Sequence, residues 1–177
     1  LRLLSNVYDA DEGYIYYDNE KSSSLNARKD IFFLADNPHS EVNKTIEEVL
    51  KENISDCDNV EVIYQDFLQA KVLKDLEKYS YNKLYVVANL PYYITTPIIM
   101  KLIEDKIPVD KIVVMVQKEV GDRFKAEPNS KDYGSLSIFL QYYFKVRKLI
   151  DVSRNVFIPK PNVDSIVVEF SKKENLY

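Results

Sequence analysis

Apolar and polar positions fall into two kinds of block along this chain, and their order predicts an alternation of strands and helices. Short, nearly continuous apolar runs at 60–64, 84–88 and 111–117 read as strands, while longer segments with apolar residues three and four apart at 41–53, 70–79 and 96–105 read as helices. Alternation of this kind argues for an α/β fold with a parallel, doubly wound sheet. Further along, 129–134 is a polar loop ahead of an apolar segment at 135–144, and 147–152 and 165–170 alternate like late antiparallel strands. Thr95-Thr96-Pro97 predicts a helix start, with Thr as cap and Pro at the first helical position.

The run Asn89-Leu90-Pro91-Tyr92 directly follows the predicted strand at 84–88. Open α/β sheets bind ligands just beyond the carboxyl ends of their strands, and Asn89 is the first residue past such an end. The turn combines an amide, a backbone carbonyl and an aromatic face. An exocyclic amine on a flat base can donate one hydrogen to the Asn89 side-chain oxygen and the other to a backbone carbonyl of the turn. Pro91 fixes its own φ and has no N–H to satisfy, and Tyr92 can stack on the base. The same four residues also serve an ordinary strand-to-helix turn, where Asn and Pro are common for conformational reasons alone.

Composition narrows the chemistry. At 177 residues and 46% apolar, the chain can bury a real core in one domain. One cysteine, Cys57, and one histidine, His39, cannot make a disulfide framework, a zinc site or a Cys-His nucleophile pair, so metal and thiol chemistry are not expected. No run of 18 apolar residues, signal peptide or lipidation motif occurs, and a cytoplasmic monomer without a membrane partner is expected. The net charge of −4 is uneven: residues 1–110 carry 12 Lys and Arg against 20 Asp and Glu, residues 111–177 carry 12 against 8. In the basic stretch 111–177, Lys118, Arg123, Lys125, Lys131, Lys145, Arg147, Lys148, Arg154 and Lys160 are candidates for phosphate contacts, which position a nucleic acid without reading its sequence. Each of them can equally be part of a solvated face.

Four blocks in order carry a family resemblance: NLPYYITTPIIM at 89–100, MVQKEVGDRF at 115–124, KDYGSLSIFLQYY at 131–143 and VFIPKPNVDSIVV at 156–168. They closely resemble the small-subunit ribosomal RNA adenine N6,N6-dimethyltransferases, over about Glu41 to Ser171. The related erythromycin-resistance methyltransferases usually have Ile where this chain has Leu90.

The resemblance implies a Rossmann-like methyltransferase sheet, S-adenosylmethionine as cofactor, and ribosomal RNA of the small subunit as partner. By that resemblance Asn89, Leu90, Pro91 and Tyr92 form the target-adenine motif, and Phe157 is the second aromatic that sandwiches the flipped base. Asp66, in Tyr64-Gln65-Asp66-Phe67, matches the acid that binds the cofactor's adenine amine, and Glu41 the acid that takes its ribose hydroxyls. Asn89 borders the cofactor as well. The family usually has Asp where this chain has Asn43. A strand-end turn residue and a first-turn helix acid are the ordinary structural roles for Asp66 and Glu41.

The chain departs from the family at the glycine-rich strand-to-helix loop. Only Gly13, Gly121 and Gly134 occur, none close enough to another for G-x-G. Either 31–35 takes the place of the missing strand or the sheet has a gap. Residues 1–40 resemble the stretch after the phosphate loop of ABC transporter ATPases, without phosphate loop, signature or catalytic Glu, and no ATPase function is carried over. A hairpin and a strand without chemistry are expected there. The chain starts with Leu1 and stops at Tyr177, where the family continues into a small helical domain. A partial catalytic domain at 41–177 behind an atypical segment at 1–40 is therefore expected. Three readings stay open: an adenine dimethyltransferase core, a catalytically inactive RNA-binding or ribosome-assembly module, and a fragment or chimeric chain with no activity of its own.

Overall fold

The computed structural model describes residues 16–17, 20–21, 32–34, 55, 60–63, 65–91 and 93–173. A two-residue hairpin pairs β1 (Tyr16–Tyr17) with β2 (Glu20–Lys21). The main sheet has five strands in the order β3-β4-β5-β7-β6, formed by β3 (Phe32–Leu34), β4 (Tyr85–Asn89), β5 (Lys111–Gln117), β7 (Ser165–Lys172) and β6 (Phe144–Val152). β3, β4 and β5 are parallel, and β7 runs antiparallel to both β5 and β6. The helices are α1 (Val72–Leu76), α2 (Thr95–Glu104), α3 (Lys118–Phe124) and α4 (Ser135–Tyr143).

β3 occupies the place beside β4, Phe32 to Leu34 pairing with Val86 to Ala88. The strand expected at 31–35 thus fills the position next to the Asn89 strand, and the sheet has no gap there. β5 forms over the expected residues because Ile112, Val114 and Val116 are all buried along one face. β7 is buried on both faces from Ser165 to Phe170, so it does not show the one-sided alternation expected of 165–170. Phe170 stacks edge-on with Phe124 of α3 and Phe144 of β6, at centroid distances of 5.5 and 6.0 Å. At the end of the sheet where β5 begins, Asp110 ties the strands together. Its carboxylate accepts from Leu84 N at 2.7 Å, and its carbonyl accepts from Lys172 N at 3.0 Å.

Other expectations need correction. Residues 60–63 are not a strand: Val60 and Ile63 are exposed, and the Glu61 carboxylate is held by the Lys78 ammonium and the Tyr79 hydroxyl. Apolar sequence alone does not make a strand when no ladder partner is present. The helix expected at 70–79 is Val72–Leu76, with no side-chain cap at Lys71. α2 begins at Thr95, so Pro97 is its third residue and not its first; no side chain caps Ile94. β6 starts three residues earlier than 147, at Phe144, and is bulged between Lys148 and Ile150. The helix expected at 41–53, together with His39 and Cys57, lies outside the described residues. Among the described residues no helix is long and apolar enough to cross a membrane, and no cluster of His, Cys, Asp and Glu could hold a metal ion.

Candidate functional site

Two loops rise from one rim of the sheet. Asn89 is the last residue of β4 and pairs with Met115, which in turn faces Val167 of β7. Two positions beyond, Gln117 faces Ser165, and Ser165 faces Val152, the last residue of β6. The 153–164 connection therefore leaves and re-enters the sheet at the same rim as the 89–94 turn. β4 and β7 are separated by one strand, which puts the two loops about 10 Å apart at their roots. Asn89 and Phe157, distant in sequence, stand on the same edge.

Local bonding shapes the first loop. Leu90 is buried and anchors the turn, leaving Asn89 and Pro91 half-buried. The Pro91 carbonyl accepts from Ile94 N and from the Thr95 hydroxyl, both at 3.1 Å. Thr95 is itself fully buried. Sequence predicts a capping role for Thr; here its hydroxyl donates to a carbonyl instead. The Pro91 carbonyl is thus occupied by two donors, so a ligand amine would have to use another carbonyl of the turn.

The second loop is closed by a fork. Arg154 donates from its backbone N and Nε to Asp164 Oδ1 at 3.0 and 2.9 Å, and from Nη2 to Oδ2 at 3.1 Å. Nη1 reaches the Asn162 carbonyl. Hydrogen bonding to Arg154 holds the Asp164 carboxyl well below the usual range, at about 2. Ser153 Oγ accepts from Asn155 N at 3.3 Å, and Phe157 N donates to the Arg154 carbonyl at 3.4 Å, completing a short 3-10 turn at Arg154–Val156. The Asp164 carbonyl accepts from Lys118 N at 2.9 Å, which fastens the loop to the start of α3. Phe157 is half-buried at the end of this braced turn.

The block at 131–143 also has a physical role that sequence left unexplained. Ser137 Oγ donates to the Arg123 carbonyl at 2.6 Å, and Gln141 Nε2 donates to the Phe124 and Ala126 carbonyls at 3.2 and 2.9 Å. One face of α4 therefore satisfies the orphan carbonyls at the end of α3.

Of the cofactor-side residues, Asp66 is exposed. Its Oδ1 accepts from Leu68 N and its Oδ2 from Gln69 Nε2, both at 2.9 Å, so it organises its own turn. A carboxylate has lone pairs beyond those two, and Asp66 can still accept from an adenine amine. Glu41 and Tyr92 lie outside the described residues.

The cationic candidates divide. Arg154 pairs with Asp164, Arg147 with Glu169 at 2.8 Å, Lys148 with Asp151 at 2.5 Å, and Lys118 and Lys125 with Asp122 at 2.5 and 3.1 Å. Burial by itself would raise the Glu169 carboxyl, but Arg147, Ser171 and Lys111 together hold it below its ordinary value. Among the described residues Arg123, Lys131, Lys145 and Lys160 have no ion pair, and these are the better candidates for phosphate.

The chain matches the family model "Ribosomal RNA adenine dimethylase" over residues 39–177. It is 46% identical over 136 residues to ribosomal RNA small subunit methyltransferase A of Oceanobacillus iheyensis, covering 76% of this chain and 46% of that protein. To the protein of the same name from Streptococcus thermophilus it is 47% identical over 148 residues, covering 80% of this chain and 51% of the relative. The chain spans about half the length of the curated relatives it matches. A crystal structure of a dimethyladenosine transferase from Plasmodium falciparum superposes with a TM-score of 0.60 at 34% identity, over 73% of this chain and 44% of that one. The 23S rRNA methyltransferase ErmE, at 22% identity and a TM-score of 0.61 over 77% of this chain and 52% of its own, shares the fold. The matches do not support the resemblance of residues 1–40 to ABC transporter ATPases.

Proposed function

The chain belongs to the ribosomal RNA adenine dimethylase family, and from that premise we propose that it is the core of an S-adenosylmethionine-dependent enzyme that dimethylates adenine N6 in small-subunit ribosomal RNA. The curated relatives are bacterial proteins named for the small ribosomal subunit, and on that ground we read the location as cytoplasmic. The observation that carries the reading is the shared rim: the Asn89 turn and the Phe157 loop both leave the sheet at the edge where β4 and β5 end. We take 41–177 as the partial catalytic domain and 1–40 as an atypical segment that lends the strand Phe32–Leu34 to the sheet.

In this reading the target adenine leaves the RNA stack, at a cost of a few kcal/mol, and lies between Tyr92 and Phe157. The Asn89 side-chain oxygen accepts one N6 hydrogen and the Leu90 carbonyl accepts the other. Pro91 keeps the turn rigid, with its own carbonyl occupied by Ile94 N and Thr95 Oγ1. Both hydrogens held in the turn direct the N6 lone pair outward, so the chain's contribution is mainly orientation. S-adenosylmethionine supplies, when bound, a methyl group on a sulfonium. Asp66 would hold the cofactor's adenine amine and Glu41 its ribose, with Asn89 alongside. Burial and bonding brace the parts that touch the base, and the fork at Arg154 and Asp164 does the same for the loop bearing Phe157.

Asn89→Ala tests the assignment. Methyl transfer to N6 should fall at least about 100-fold, in the range that loss of a positioning or charge-stabilising donor or acceptor gives, with an unchanged thermal melt. Full activity in that variant would remove Asn89 from the mechanism. A second reading, a catalytically inactive RNA-binding module, is favoured by two observations: residues 60–63 are not in the sheet, and the chain has only three glycines. Calorimetric titration with S-adenosylmethionine separates the two, because the second reading predicts no heat.

A further inference from the structure

We propose that Tyr93, Val156 and Ile158 form an apolar rim that takes the RNA nucleotides next to the target adenine. The inference rests on the reading of the site as an adenine methylation site. Tyr93 is 84% exposed, Val156 69% and Ile158 86%, whereas every other exposed large apolar residue among those described lies between 37 and 55%. Single exposed apolar side chains are ordinary on a protein surface. Here the three most exposed all sit on the two loops that flank the candidate site, Tyr93 in the turn after β4 and the other two on either side of Phe157.

The backbone that carries these side chains is braced. The Arg154 fork to Asp164 closes the loop on which Val156 and Ile158 stand, and the Asp164 carbonyl is fastened to α3 by Lys118 N. The turn that carries Tyr93 is closed by Ile94 N and Thr95 Oγ1, which both bond back to the Pro91 carbonyl. Extrusion of one base from a stack leaves a gap and two unstacked faces. Proteins that open nucleic-acid stacks fill such gaps with apolar wedges, and aromatic rings take exposed base faces. Val156 and Ile158 supply the wedge, and Tyr93 a ring. The charge is right for RNA: Lys160 stands in the same loop, exposed and with only the charge of Asp164 acting on it from within the loop, in the stretch 111–177 that carries 12 Lys and Arg against 8 Asp and Glu.

Binding of a fluorescent RNA hairpin with an unpaired adenine beside its helix, at two salt concentrations, tests this. Tyr93→Ala and the double variant Val156→Ser/Ile158→Ser should each bind about 5- to 100-fold more weakly, the range that a lost base stack gives. Their salt dependence should match the parent chain because no phosphate contact is removed. Tyr93→Phe should stay within about twofold, since the stacking face remains. Circular dichroism should be unchanged throughout, the altered positions being solvent-facing. Parental affinity in both Tyr93→Ala and the double variant would overturn the rim, as would failure of the parent chain to bind the hairpin. So would loss of self-association in sedimentation velocity with RNA binding intact, which would make the rim a contact between copies. Replacing the target adenine by purine riboside, which lacks the N6 amine, distinguishes the two levels. If the parent chain binds both RNAs equally while the rim variants still weaken binding, the adenine reading falls and the rim stands.

Discussion

Replacing Gly121 by alanine places a methyl group where two core side chains already are. A Cβ at that position would lie 2.4 Å from Ile166 Cδ1, 2.6 Å from Ile166 Cγ1 and 3.0 Å from Val116 Cγ2. Ordinary carbon contacts sit near 3.5–4.0 Å. The end of Ile166 could swing, but Cγ1 is close to its backbone, and Ile166 and Val116 are both fully buried, so there is no open space to swing into. Overpacking of this kind costs roughly 1–3 kcal/mol. Alanine gains about 0.8–1 kcal/mol over glycine in a helix interior, which offsets part of that. The net expectation is a loss of up to roughly 2 kcal/mol, or up to about 8 °C in Tm for a chain of this size. Urea denaturation monitored by circular dichroism measures it, with Gly134→Ser as control, because a Cβ at Gly134 meets nothing within 4 Å. The consequence should reach the site, since α3 begins at Lys118, whose N–H holds the loop carrying Phe157. A Gly121→Ala chain more stable than the parent by about 0.8–1 kcal/mol, the helix-propensity gain with nothing opposing it, would refute the close approach of α3 to β7 and the bracing of the rim built on it.

Two more perturbations probe the supports. Ser137→Ala removes the hydroxyl that donates to the Arg123 carbonyl at 2.6 Å from a fully buried position, and should cost roughly 1–3 kcal/mol in urea denaturation; no loss would mean that water or a neighbour takes over. For Asp164 the folded carboxyl sits at about 2 against an ordinary 3.8, so its pairing contributes fully above about pH 4 and is lost as pH falls through 2. Asp164→Asn should therefore be less stable than the parent at pH 7 and equal to it below about pH 2, as read from melts across that range; a difference that persists in acid would point to a role other than the charged pair.

Much of the sheet was legible because its signal is local. β5 shows as Ile112, Val114 and Val116 between polar ends, and β4 falls one residue from its expected bounds, at Tyr85–Asn89. Residues 60–63 mislead because their apolar character resembles a strand while the pairing that makes one is a property of distant chain. The turn after β4 could be located from Asn89 and Pro91, yet the use of the Pro91 carbonyl by Thr95 needs three-dimensional position. The same holds for Arg154, which reads as a phosphate-binding cation in sequence and turns out to close a loop onto Asp164, ten residues on. That Phe157 shares a rim with Asn89 follows from the antiparallel return of β7 between β5 and β6, a feature of topology that no motif spells out.

The most direct test of the account is nucleoside mass spectrometry of small-subunit ribosomal RNA after incubation with the purified chain and isotope-labelled S-adenosylmethionine. The account predicts label on adenine N6, ending as N6,N6-dimethyladenosine and absent with Asn89→Ala. Label on another atom, or none while the chain binds both cofactor and RNA, would contradict it.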